Sequence, residues 1–372
     1  MPASADLRVL FRAAAGPRRG FGHLVRCRSL ARALGVAPVI AVRGGDRVRA
    51  AARSLGFDVV LGSASAAIKR VAPDVVVVDD PVAADARRWI ARARRAGCRV
   101  VTVHDLGLGA AEGDLVVDGS VVRAATGSGR CKDLQPRTAG GPKDPRPRPR
   151  ALRGPSFAIL DPAFAAVRRA QRRDVTPRVL IALGGGPRAA LAYAIACGVR
   201  HQMPWARVRI AAGFAPASSA ERHLRDPRST RTARSIRQTG SAPVRHRIAW
   251  TGPLDGLAGE MSACDVAVVG GGVSLYEACA RGVAAVAVPV VVPQRPTIRG
   301  FVAQQAARGA WGDVDVDGVA REVVHLLRRP VERRLLAARA RRLVDGRGAI
   351  RVAEAIRRLV DKAGALPVRK VS

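Results

Sequence analysis

The chain has 372 residues, 48% of them hydrophobic and 3% aromatic, with a formal net charge of +35. That is enough apolar material for a sizeable core and enough length for two domains, and it excludes an intrinsically disordered chain. The longest uncharged apolar run, residues 283–293, is too short to span a bilayer, and no apolar leader opens the chain, so a soluble cytoplasmic protein is expected.

From residue 7 to 122 the pattern alternates short β-branched runs with helical stretches. Strands are predicted at 7–11, 38–42, 58–61, 75–79, 99–104 and 115–117, and helices at 22–34, 47–55, 66–71 and 83–96. Such alternation means βαβ units and a parallel sheet covered on both faces. The turn out of the first strand reads Arg19-Gly20-Phe21-Gly22-His23-Leu24-Val25-Arg26. Two glycines at a strand-to-helix turn let backbone approach a ligand. The helix start presents free N–H groups to an anion, and a His there can hold or move a proton near neutral pH. A helix start with an incidental His has the same spacing. The run Val75-Val76-Val77-Val78 ends in Asp79-Asp80-Pro81, placing carboxylates at the sheet edge where ligands bind in open α/β folds. Asp80 serves equally well as a helix-entry residue.

Residues 123–155 are rich in Pro, Gly and Arg and include Pro145-Arg146-Pro147-Arg148-Pro149-Arg150. They read as a linker between a first domain, 1–122, and a second, 156–345, followed by a C-terminal helix and tail, 346–372. The second α/β run has predicted strands at 178–183, 208–212, 247–250, 266–269 and 284–288, helices at 188–199 and 274–280, a basic stretch at 216–246, and helix over 319–361. Two of its strands end in glycine runs, Gly184-Gly185-Gly186 and Gly270-Gly271-Gly272, each before a helix. Each offers an anion cradle, although tight turns have the same composition. Neither has P-loop or dinucleotide-fingerprint spacing. Glu277 follows Ser274 by three residues, so both lie on one helix face. A carboxylate there can accept two hydroxyls of a ribose, or it can complete a capping box.

The six cysteines and six histidines are scattered, with no C-x-x-C or H-E-x-x-H. Reduced thiols, no metal site and no cofactor are expected. The positive charge is nearly all arginine spread over the helices, with few aromatics to stack on bases, so no nucleic-acid partner is expected. An anionic substrate or weak contact with an anionic membrane surface fits the charge better.

These motifs together resemble the PseG/SpsG family, UDP-sugar hydrolases of pseudaminic-acid biosynthesis and their spore-coat-polysaccharide relatives, which share the GT-B fold with MurG-type glycosyltransferases. The resemblance runs through Gly20 to Cys27 with Leu30-Ala31, then Asp79 and Asp105. It continues through Arg153-Gly154-Pro155-Ser156-Phe157-Ala158-Ile159-Leu160 with Phe164, Leu183 to Gly186, and Gly270 to Glu277. It implies a GT-B architecture, two Rossmann-like parallel-sheet domains facing across a cleft. It implies diphosphate over Gly185, Gly186, Gly271, Gly272 and Ser274, ribose on Glu277, and Gly20, Arg26, Asp79 and Gln294 also contributing to the substrate site. His23 would activate water or assist phosphate departure, with Gly22 and neighbouring N–H groups holding developing charge, and no metal would take part.

Two positions depart from the family. Asp79-Asp80-Pro81 stands where it has Asp-His-Tyr, and Pro293-Gln294 where it has Asn-Gln. The hydrolase is therefore read beside two alternatives, a GT-B glycosyltransferase with a UDP-sugar donor and a non-catalytic nucleotide-sugar-binding protein. Neither the particular sugar nor the oligomeric state follows from the residues.

Overall fold

The computed structural model describes residues 7–16, 20–105, 113–121, 150–166, 176–184, 188–213, 248–251, 256–310 and 315–364. The linker residues 123–149, the basic stretch 216–246, and Gly185 and Gly186 lie outside them. The chain divides into two compact units, one formed by Met1–Pro162 with Arg347–Ser372, the other by Ala163–Gly346.

The first unit is built on β1 (Val9–Ala14), α1 (Gly22–Leu34), β2 (Val39–Arg43), α2 (Asp46–Ser54), β3 (Asp58–Val59), α3 (Ala64–Val71), β4 (Val75–Asp79), α4 (Ala83–Arg95), β5 (Arg99–His104), β6 (Leu115–Asp118) and β7 (Arg150–Arg153). Its seven strands lie in the order β3-β2-β1-β4-β5-β6-β7, all parallel. Strands buried on both faces need continuous apolar runs, and Val75–Asp79 is buried at every position. β1 runs further than the pattern predicts because Arg12, which ends the apolar run, is itself buried within the strand. β7 falls inside the predicted linker. Only Leu152 of its four residues is buried, so this edge strand carries no apolar run by which to recognise it.

The second unit holds β8 (Arg178–Ala182), α5 (Ala189–Gln202), β9 (Arg207–Ala211), β10 (Ile248–Thr251), α6 (Ala258–Ala263), β11 (Val266–Gly270), α7 (Val273–Ala280), β12 (Ala284–Val288), α8 (Arg295–Ala303), β13 (Arg308–Gly309), α9 (Val316–Arg328) and α10 (Pro330–Leu343). Its parallel strands lie in the order β10-β9-β8-β11-β12-β13. One face of this sheet packs Val179, Ile181, Val266, Val268 and Val286 against α5 and α9 through Ile195, Val199, Val319 and Val323.

The predicted helical stretch 319–361 is three helices. Pro330 opens α10, where its missing N–H costs nothing, and α11 (Gly348–Gly364) starts after Gly346, which holds φ 79°. α11 belongs to the first unit. Arg351 donates to the Ser156 carbonyl and Arg357 to the Leu34 carbonyl, both at 2.8 Å. Among the described residues no helix is long and apolar enough to cross a membrane.

The start of α11 has no room for a side chain. A Cβ on Gly348 would lie 2.7 Å from the Ala158 carbonyl carbon and 2.8 Å from its nitrogen, both backbone atoms. Gly348→Ala should therefore destabilise the protein by about 1–3 kcal/mol, read as a lower urea midpoint. An unchanged midpoint would mean that α11 does not dock this closely.

Candidate functional site

Each sheet has a point where the strand order reverses, between β1 and β4 in the first unit and between β8 and β11 in the second. In open α/β sheets, ligands bind beyond the carboxyl ends of the strands at that point. His23 and Asp79 stand at the first. The glycine turns Gly184 and Gly270 to Gly272 stand at the second.

At the first switch point, β1 pairs with β4 so that Ala13 lies beside Asp79. The chain then turns through Gly20, whose N–H donates to the Gly16 carbonyl at 2.7 Å and whose φ of 82° suits glycine. α1 begins at Gly22 without a side-chain cap, so the first-turn N–H groups of Gly22 and His23 have no intrahelical partner. His23 and Arg26, three apart, share a helix face. His23 Nδ1 lies 2.8 Å from Asp79 Oδ1. Arg26 donates to both Asp79 oxygens, Nε to Oδ2 at 2.9 Å and Nη2 to Oδ1 at 2.6 Å, and its Nη1 donates to Asp105 at 2.5 Å.

Electrostatics fixes the roles. Burial opposes ionisation of Asp79, but Arg26 and then His23 outweigh it and draw the carboxyl down to about 2. The ionised carboxylate only accepts, so His23 Nδ1 carries the proton it donates, and in the neutral ring the lone pair is then on Nε2. Arg26 Nη2 also lies 2.9 Å from Nδ1, but that nitrogen has no lone pair to offer in this tautomer, and the guanidinium is served by Asp79. Burial likewise disfavours the Arg26 cation, and Asp105 with Asp79 reverses this, raising its pKa well above the usual arginine value. Arg26 thus holds Asp79 and Asp105 in place. Burial, followed by the Asp79 charge, pushes the Cys27 thiol up, so Cys27 is no thiolate nucleophile.

Asp80 faces the other side of the sheet. Its Oδ1 accepts the Val82 N–H at 3.0 Å at the entry to α4, and its Oδ2 lies 3.3 Å from Arg12. The Arg12 guanidinium sits over the Trp89 ring, 5.1 Å from its centroid. Of the two readings open for Asp80, helix entry is the one realised.

In the second unit Gly271 is closed in by Gln294, whose Oε1 accepts the Gly271 N–H at 3.1 Å and the Val290 N–H at 3.2 Å. A Cβ on Gly271 would lie 2.7 Å from Ile298 Cγ1. Gln294 therefore shapes the turn, and the Gly271 N–H is committed to it. α7 starts at Val273 with Gly272 as its N-cap and no side-chain cap. Ser274 is then inside the helix, which removes the capping-box alternative for Ser274 and Glu277. Glu277 is buried and Ser274 half-buried on the same face. Arg188, which the sequence reading did not single out, caps α5. Its Nη1 lies 3.2 Å from the Cβ position that Gly184 lacks. Burial alone lowers its pKa, with no described carboxylate to offset it. Its proximity to the Gly184 turn was a signal in the sequence. Among the described residues, no group of three or more His, Cys, Asp or Glu could hold a metal ion.

No family model matches the chain. It is similar to the spore coat polysaccharide biosynthesis protein SpsG of Bacillus subtilis (strain 168), 29% identical over 217 residues, which span 57% of this chain and 60% of the relative. Solved structures share its fold at low identity. Acinetobacter baumannii MurG has a TM-score of 0.58 at 14% identity, covering 94% of this chain and 99% of its own. S. aureus MnaA, solved with UDP, has a TM-score of 0.59 at 12% identity, covering 97% and 99%. The spinosyn rhamnosyltransferase SpnG, complexed with thymidine diphosphate, has a TM-score of 0.56 at 16% identity, covering 95% and 100%. The fold is thus the two-sheet GT-B architecture, and the SpsG-like, MurG-type resemblance read from the motifs is met.

Asp79→Ala leaves the Arg26 cation without its main buried partner and should cost about 3–5 kcal/mol in urea unfolding. The Asp79 pKa is below its unfolded value, so its stabilisation is complete above about pH 4 and is lost as pH falls towards about 2. The variant should lose less stability than the wild type across that window. Parallel acid limbs in the two proteins would contradict an ionised, ion-paired Asp79.

Proposed function

We propose that the chain is a UDP-sugar hydrolase in which His23 is the general base. The observation that carries the reading is the 2.8 Å contact of His23 Nδ1 with Asp79, a carboxylate held ionised by Arg26. It leaves Nε2 as a lone pair at a helix start on a switch point. In the reaction, water oxygen bonds to the anomeric carbon and its proton passes to Nε2. The bond from that carbon to the β-phosphate oxygen breaks, and its electron pair leaves with UDP. In this reading the second unit meets the diphosphate with the N–H groups of Gly272 and Ser274 and with Arg188, and no metal step is needed. Glu277 takes the ribose hydroxyls. The likeness to SpsG supports a role in polysaccharide synthesis, and the cytoplasm is where UDP-sugars are supplied. Gly20 and Arg26 serve by shaping the turn and fixing Asp79.

A glycosyltransferase is the second reading. It is favoured by Asp80 and Pro81, because Asp80 is turned to Arg12 and Pro81 has an apolar side chain, so neither side chain can orient water beside His23. An acceptor hydroxyl brought by the substrate would need no such help.

Purified protein incubated with UDP-sugars should release UDP and free sugar in water alone. UDP formed only when an acceptor glycan is added would select the transferase, and tight UDP binding with no turnover under either condition would select a binding protein. His23→Ala should lower the rate about 10²–10⁴-fold while UDP affinity stays near wild type. A near-normal rate would remove His23 from the mechanism. Glu277→Ala and Arg188→Ala should each weaken UDP about tenfold or more in calorimetry, the second with a reduced salt dependence. Unchanged affinity would remove the residue from the nucleotide site.

A further inference from the structure

α10 carries a face that its own unit does not bury. Leu336, Ala337 and Ala340 point inward. Val331, Arg334, Leu335, Ala338, Arg339 and Arg342 are all exposed, and their spacing gathers them into one stripe along the helix. Val331 is 62% and Leu335 52% exposed, two of only five large hydrophobics so exposed among the described residues. Apolar side chains that close together on a solvated helix mark a contact surface more often than scattered ones do.

The stripe carries three arginines and no carboxylate. The acid nearest in sequence, Glu332, is engaged elsewhere. It accepts from His325 Nε2 at 2.9 Å, pairs with Arg308, and lies 3.9 Å from Arg329. Arg328 and Arg329 are exposed at the start of the helix and extend the positive field.

We infer that this stripe of α10 docks the protein on an anionic phospholipid surface. Val331, Leu335 and Ala338 would enter the headgroup boundary, and Arg334, Arg339 and Arg342 would lay their stems along it and reach phosphate. The apolar pair is too small to hold the protein on neutral lipid. Each arginine near an anionic surface adds about fivefold, so three together give a preference on the order of 10²-fold. A nucleic acid would satisfy the arginines but not the apolar pair, and the stripe has no aromatic ring to stack on a base.

The full chain is sedimented with vesicles of phosphatidylcholine alone and with added phosphatidylglycerol, at about 0.1 M salt, where exposed charges still act over about 10 Å. Partition onto the anionic vesicles should be on the order of 10²-fold higher. The triple variant Arg334→Gln, Arg339→Gln, Arg342→Gln should lose most of that preference. The double variant Val331→Ser, Leu335→Ser should lose severalfold while its circular dichroism and UDP binding stay unchanged, because both side chains are exposed. Equal sedimentation with the two vesicle types would overturn the inference, as would anionic binding that neither variant alters. Loss in the arginine variant alone, matched by an equal loss of binding to duplex DNA, would make the stripe a general polyanion surface and would also overturn it.

Discussion

The carboxylate of Asp79 is the point on which the first unit's chemistry depends. It is almost wholly buried, and burial alone would raise its pKa. Arg26 prevents this by giving it two charge-assisted hydrogen bonds, 2.6 and 2.9 Å long. The ionised Asp79 then determines which nitrogen of His23 carries the proton. His23 and Arg26, one turn apart on α1, meet Asp79 at the end of β4 because β1, which leads into α1, is the neighbour of β4 in the sheet. Arg26, which the resemblance places in the substrate site, turns its guanidinium to Asp79 and Asp105.

Asp79 and Asp80 illustrate how far the residues could be read. The valine run identified the strand to the residue, and the alternation of a strand sends adjacent side chains to opposite faces. What could not be read was the partner on each face. Arg12 lies 68 positions from Asp80 in sequence, and His23 lies 56 from Asp79. Nothing local indicates that one carboxylate meets a histidine at a helix start and the other meets an arginine stacked on Trp89. The same holds for Gln294, which reaches back 23 positions to hold the Gly271 N–H. The sheets and most of their helices were legible because burial on both faces demands long apolar runs. β7, α6, α8 and β13 were not, since short or half-exposed elements carry too few apolar residues to show a period.

The excess of arginine is organised by the fold. The few carboxylates are spent where they matter. Asp79, Asp80 and Asp85 serve the first sheet edge, Asp161 holds Arg32, Glu260 holds Arg209, and Glu332 gathers Arg308 and His325. Of the other described arginines, Arg351 and Arg357 donate to backbone carbonyls, Arg334, Arg339 and Arg342 along α10 face solvent, and Arg188 lies beside a glycine turn.

Asp79 faces His23 Nδ1, which places the ring proton there and the lone pair of the neutral ring on Nε2. Nitrogen-15 NMR of the histidine ring in the intact protein tests it directly, since the two nitrogens have separate shifts in each tautomer. The neutral ring should carry its proton on Nδ1 and not on Nε2, with that preference lost in Asp79→Asn. A His23 ring protonated on Nε2 alone would contradict it.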